Sequence, residues 1–516
     1  MNRLFKMVGS VNPPRSLFNL SYVKKLTCDM GELIPVLCDE CVPGDIWKIG
    51  NQMILRFTPL VAPIMHQVDV YVHYFFVPYR LIATMDRGDY IEYTWEEFIT
   101  GGEDGDSTAQ LGIIGGPLLK GGIGDYLGMP LGIAWPGSQA PIGLPWDAYH
   151  FIWDEYYRDE NLQEKSWHTG LYPIDDILKR NWEKDYFTSA LLSQTRGTAP
   201  ALPISGMSKA EFDFTDLVTG LSGHAQSIVS EDTNTNNNIG TLLSTAPYVT
   251  ARNNLEGFLD NNTVDLSMAV GFDISDIRLA FQIQRFMERN ERAGIRLKEF
   301  LQAHFGISPK DERLQRPEYI GGSKCPVIVS EVIQTSEDGT TPQGTLKGHG
   351  ISVDQQFITK YRVEEHGLIM GLLSIMPKPD YTPQGINRQW LRKSRYDFYF
   401  PEFANLSEQA ITRQEIYCNN VEADNDTIFG YCGAYDEMRT KQNMVCGNFR
   451  DTYDYWHMAR QFGSAPVLNS SFIECVPRKD CFAVTDEDCC LVEFGNLLSV
   501  LRPMPVIAEP GFVDHV

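Results

Sequence analysis

A chain of 516 residues, 43% apolar and 11% aromatic, can bury a sizeable core as two to four ordinary domains or as one large β domain with elaborated loops. Its net charge of −23 excludes a broadly basic, nucleic-acid-coating surface, so any polynucleotide contact must be local. No stretch approaches the ~20 apolar residues of a membrane helix, and Arg3 and Lys6 lead into Pro13-Pro14 rather than an apolar run, so neither membrane insertion nor a signal peptide is expected.

In chain order, residues 1–28 carry Arg3, Lys6, Arg15, Lys24 and Lys25 and no acid. This stretch reads as an extended basic arm outside the core, able to lie on phosphate or to clamp a neighbouring subunit. Gly31–Leu37 and Met53–Phe57 are short apolar runs separated by the Pro43-Gly44-Asp45 turn, hence two strands. From Gln67 to Val77 the chain is almost wholly β-branched or aromatic. Val68, Val70, Val72, Tyr74 and Phe76 share one face of a strand, and Asp69, Tyr71, His73, Phe75 and Val77 the other. Only Asp69 and His73 interrupt the second face, which predicts a central strand covered on both sides, stopped by Pro78. His73 reads as a satisfied core residue.

Residues 101–145 are glycine- and proline-rich, hence loop. A helix capped by Asp147 follows, with Tyr149, Ile152, Trp153, Tyr156 and Tyr157 as its apolar stripe and Asp154, Glu155, Arg158, Asp159 and Glu160 as a solvated face. Residues 196–272, with eight asparagines between Asn234 and Asn262, read as a large surface excursion. A second helix starts near Asp273 with Leu279, Ala280, Ile283, Phe286 and Met287 as its buried stripe. Arg278, Arg285, Arg289, Arg292 and Arg296 fall within roughly a 60° arc of it. That row fits a grip on phosphates or on a neighbour's carboxylates, or a solvated face paired with Glu288 and Glu291, with Gly294 ending the helix. Strand-like runs resume at 327–329, 367–376 and 491–494, joined by aromatic connections such as 396–403, before an extended tail from Arg502. Forty-three glycines and 29 prolines suit this succession of short strands and turns.

No constellation for catalysis or metal binding emerges. Gly121–Gly128 lacks a phosphate-loop lysine, Cys38 and Cys41 have no second pair at zinc spacing, and the ten histidines are scattered. Eleven cysteines, an odd number, read as reduced core thiols. No cofactor and no enzymatic activity are expected.

Several long blocks resemble the major capsid protein of the Microviridae, the small single-stranded DNA phages, and most of all their gokushovirus branch. They include Pro43-Gly-Asp45, Val70-Tyr-Val-His-Tyr-Phe-Phe-Val-Pro78, Pro145-Trp-Asp-Ala-Tyr-His-Phe-Ile-Trp153, Arg313-Leu-Gln-Arg-Pro-Glu-Tyr-Ile-Gly-Gly322, Glu365-His-Gly367 and Arg502-Pro-Met-Pro505. The resemblance implies an eight-stranded antiparallel jelly-roll sandwich over residues 29–516, with 196–272 as a protruding insertion. It further implies sixty copies in a T=1 shell around circular single-stranded DNA. The partners it implies are other copies, the genome, further virion or scaffolding proteins and a host-cell receptor. It places the protein in virions assembled in the bacterial cytoplasm. An acidic β-sandwich that binds or cleaves carbohydrate is the alternative.

Overall fold

The computed structural model describes residues 13–83, 116–135, 140–166, 174–197, 225–229, 238–243, 274–333, 346–382, 385–403 and 408–507, together with residues 95, 99 and 114. Two compact units divide the chain, one of Met1–Arg196 with Glu288–Val516 and one of Gly197–Met287. The strands are β1 (Ser16–Asn19), β2 (Tyr22–Cys28), β3 (Ile34–Cys41), β4 (Ile46–Phe57), β5 (Val68–Pro78), β6 (Ala225–Val229), β7 (Asn238–Leu243), β8 (Glu318–Pro326), β9 (Ile328–Ile333), β10 (Leu346–Arg362), β11 (Gly367–Pro377), β12 (Tyr381–Thr382), β13 (Gln409–Thr412), β14 (Ile428–Cys432), β15 (Arg460–Gln461) and β16 (Cys490–Arg502). Five helices matter below: α1 (Tyr79–Ala83), α2 (Ile123–Tyr126), α3 (Leu144–Tyr156), α4 (Ile274–Ala293) and α5 (Leu297–Phe305).

Two antiparallel sheets make the larger unit. The first runs β16–β4–β10–β9, with β1 and β2 sharing the other edge of β16, and the second runs β3–β11–β5–β8. Between them lies the main core. Val68, Val70, Val72, Tyr74 and Phe76 of β5 meet Trp47, Ile49, Met53 and Leu55 of β4 and Val492, Phe494 and Leu498 of β16. Full burial of each such aliphatic or aromatic side chain contributes about 1.5–3 kcal/mol, so this one layer decides the fold.

The second face of β5 is covered too, by α3. Phe75 and Val77 pack with Leu368, Met370 and Leu372 of β11 against Tyr149, Ile152 and Trp153. The two polar interruptions are both satisfied. Asp69, almost fully buried, pairs with Lys324 at 2.8 Å and Lys378 at 3.2 Å, and His73 Nδ1 lies 2.7 Å from the Tyr157 hydroxyl. Pro78 then ends the ladder and the chain turns into α1.

Four expectations need correction. Residues 16–28 are not an arm outside the core: they form β1 and β2, and Leu26 and Cys28 are buried in it. Gly31 belongs to a turn with φ +86°, and the strand begins at Ile34. The first long helix starts at Leu144 behind Gly143, with Pro145 in its first turn, so Asp147 is inside the helix and buried, as is Asp154 from the face expected to be solvated. On α4, Leu279, Ile283 and Phe286 are exposed instead of forming a buried stripe. That helix ends at Ala293, where Gly294 takes φ +92°, the left-handed conformation glycine permits after a last turn. In the smaller unit β6 pairs antiparallel with β7.

Candidate assembly and nucleic-acid surfaces

The outer face of the first sheet carries a row of exposed side chains among the described residues. β4 presents Lys48, Gln52 and Arg56 there, β16 presents Leu491, Glu493 and Leu497, and β10 presents Val353, Gln355 and Phe357, all exposed. Along β4 buried residues alternate with exposed or half-buried ones except at Gly50, the pattern of a sheet with one face on the core.

This face also receives part of the basic N-terminal set. Arg3 and Lys6 lie outside the described residues. Arg15 is exposed just before β1, and Lys25 is exposed opposite Glu493 in the ladder. Lys24 is different: Nζ donates to the Pro35 carbonyl at 2.8 Å and to that of Tyr126. Burial pulls its pKa down to about 8. Its parity explains this, because Lys24 falls on the same side of β2 as Leu26 and Cys28. Strand alternation through residues 22–28 was the signal that could have separated Lys24 from Lys25.

The arginine row of α4 also splits. Arg278, Arg285 and Arg289 are exposed. Arg292 forms a bidentate pair with the fully buried carboxylate of Glu408, Nη2 to Oε2 at 2.7 Å. Arg296, past the helix end, binds Glu160 at 2.9 Å and donates to the Asp154 carbonyl at 2.7 Å. Two of the five guanidiniums are therefore paired within the larger unit, to which Arg292 and Arg296 belong.

Beneath the α3 side of β5 opens a cleft of about 950 Å³, lined by Tyr71, His73, Tyr157, Arg180, Arg296 and Tyr319 among others. The Arg180 guanidinium sits 4.6 Å from the Tyr71 ring centroid and 5.6 Å from that of Tyr157. Burial, with Arg180 as second cause, lowers the His73 pKa from 6.5 to about 4. Between those two values the unfolded chain binds a proton that the native chain does not. The stabilisation is therefore complete above pH 6.5 and lost as pH falls to about 4. After allowance for partial solvent screening the loss is about 2 kcal/mol. The purified chain should show this as a drop in urea midpoint between pH 7 and pH 4.5, and His73→Gln should flatten it. An equal acid drop in His73→Gln would assign the effect elsewhere.

Among the described residues no helix is long and apolar enough to cross a membrane, and no group of three His, Cys, Asp or Glu is placed to hold a metal ion. Comparison with known proteins gives the surfaces their context. A family of phage capsid proteins (F protein) matches residues 6–512. Capsid protein VP1 of Chlamydia phage 1 is 32% identical, with 99% of this chain and 98% of that protein covered. Capsid protein VP1 of Bdellovibrio phage phiMH2K is 31% identical over 98% and 97% of the two chains, and that of Spiroplasma virus 4 is 29% identical over 98% and 97%. Nothing in these matches supports the carbohydrate-acting alternative, and their near-complete coverage leaves one conclusion: the chain belongs to the F-type capsid-protein family of small phages.

Proposed function

We propose that this chain is the major capsid protein of a gokushovirus-like phage, that sixty copies close into a T=1 icosahedral shell around circular single-stranded DNA, and that the subunit is an eight-stranded jelly roll. The observation that carries the reading is the capsid-family match over residues 6–512. The strand order supports the finer fold. β2–β16–β4–β10 faces β3–β11–β5–β8, so that β2 and β3, β4 and β5, and β10 and β11 alternate between sheets. Two interleaved Greek keys produce that alternation, with β1 and β9 as edge additions.

Within this reading the role is structural, and the partners are other copies, the genome and further virion or scaffolding proteins. Arg3, Lys6, Arg15 and Lys25 are the N-terminal cations proposed to face the DNA; the two carbonyl bonds of Lys24 argue for a structural duty at that position. Residues 196–272, all but the first of which fall in the unit Gly197–Met287, are proposed as the outward excursion that meets a host-cell receptor.

The test is particle mass. The chain expressed from the complete phage genome should sediment in particles containing sixty copies of 58.4 kDa, roughly 3.5 MDa of this protein. Replacing Ser205–Asn262 by a Gly/Ser linker should leave particles that form but adsorb poorly to cells. A chain that stays monomeric in infected cells would overturn the shell reading. Normal adsorption by the shortened variant would overturn the receptor role alone.

A further inference from the structure

The connection between β12 and β13 carries a surface that neither the fold nor the comparisons account for. Residues 387–403 form three single 3-10 turns, Arg388–Trp390, Arg395–Asp397 and Pro401–Phe403. Trp390 is 75% exposed, and Tyr396, Phe398, Tyr399 and Phe400 are each 46–58% exposed. Large apolar rings held in water over one short segment are costly, and such patches mark contact surfaces.

The segment is built rather than loose. Asp397 accepts from the backbone N–H of Lys393 at 2.9 Å and of Ser394 at 2.7 Å, closing a capping box. Arg388 donates to the buried Glu415 at 3.1 Å and Arg392 to the buried Glu437 at 3.1 Å. Beneath lies Tyr435, buried, with φ +62° and its hydroxyl 3.4 Å from the carbonyls of both Tyr396 and Phe398. A tyrosine in the left-handed region is strained by about 1–3 kcal/mol, and strain of that kind persists where the surroundings fix it. The rings are thus presented on a preorganised platform, which lowers the ordering cost of any contact they make.

We propose that residues 387–403 form a contact surface for a second copy of this chain, in which the exposed rings pack on the neighbour while Lys393 and Arg395 meet an acidic patch there. Charge decides the occupant. The segment holds four cations and two carboxylates in a chain whose net charge is −23, so the surface of another copy is on average its electrostatic complement. A single strand of DNA fits less well, because Arg388 and Arg392 are already paired with internal carboxylates. That leaves Lys393 and Arg395 without an ion pair among the described residues, two cations beside five rings. Interface cores combine aromatics and arginine in this way. Because the surface and its acidic target are different patches, the contact is heterologous and closes into rings, as shell vertices require.

This inference rests on the shell reading. The test uses two variants expressed from the complete phage genome, Trp390→Ser/Phe400→Ser and Lys393→Glu/Arg395→Glu, assayed for particle yield by sedimentation, DNA content of particles, and unfolding midpoint of the free chain. The expected result is at least a tenfold loss of particles in both, with free chain that unfolds at the wild-type midpoint. Wild-type yield from either variant would overturn the inference, as would normal yield with reduced DNA content, which would make the segment a nucleic-acid platform. If the serine variant fails to fold, the charge variant, which alters only exposed side chains, decides alone. Absence of particles from the unsubstituted chain is a separate result: it removes the shell reading and the inference with it.

Discussion

Arg502→Ala is expected to destabilise the chain by about 3–5 kcal/mol, the cost of leaving a buried charge without its partner. Asp45 is fully buried in the turn between β3 and β4. It accepts from Arg502 Nε at 3.0 Å and Nη2 at 2.8 Å, and from the Val42 amide at 3.1 Å. The Arg502 guanidinium also reaches the Glu40 carbonyl at 3.0 Å and lies 5.6 Å from the Trp47 ring centroid. Alanine removes every contact of the guanidinium at once and leaves the buried carboxylate of Asp45 only the Val42 amide among these partners. Asp45→Asn should cost less, since the amide oxygen still accepts and the cation left without a carboxylate, Arg502, is partly exposed and keeps the Glu40 carbonyl. Chemical denaturation of the purified chain checks both. An Arg502→Ala midpoint within 1 kcal/mol of wild type would mean that water reaches Asp45.

Gly31→Ala is the second large effect, expected at about 3 kcal/mol or more. The residue sits at φ +86°, where a side chain is disfavoured by about 1–2 kcal/mol on its own account. Beyond that, a Cβ would stand 2.1 Å from the Cys475 carbonyl oxygen, which belongs to backbone and cannot swing aside. The turn is pinned on both sides, its N–H donating to Ile375 at 2.9 Å and its carbonyl accepting from Arg180 at 2.7 Å. Relief must therefore move β11 or the strand-like run at Arg180. A soluble Gly31→Ala chain with the wild-type unfolding midpoint would show that the turn can relax at no cost.

How much of this was legible in the sequence depended on how many faces of an element are covered. β5 and β11 are buried on both sides, so their apolar runs are nearly continuous and stand out. β10, the longest of the described strands, is hidden in the sequence because one face is open to solvent, and Asp354, Gln355 and Gln356 break any apolar signal. β8 was obscured by Gly321-Gly322: Gly321 sits at φ +149° beside the register shift between Tyr74 and Phe75 of β5. On α3 the buried stripe was legible, but the helix start was not, since Pro145 in the first turn marks it more firmly than Asp147. The basic residues were easy to find, and their partners were not. Glu408 lies 116 residues from Arg292, and no local pattern announces that pairing. The aromatic segment at 396–403 was seen as a connection, while its 3-10 platform depends on Tyr435.

One feature of the topology sets a schedule for synthesis. β16, the last of the described strands in chain order, lies in the interior of its sheet, with β2 on one edge and β4 on the other. Until residues 490–502 emerge, β1 and β2 have no partner strand and β4 has one edge unpaired. One contact that ties β16 across the sandwich joins residues 460 positions apart, the Asn496 amide donating to the Val36 carbonyl. Such sequence separation makes closure slow and leaves strand edges open in the meantime. A chain broken off before residue 490 therefore lacks the strand that joins β1 and β2 to β4 and is expected not to complete this sheet.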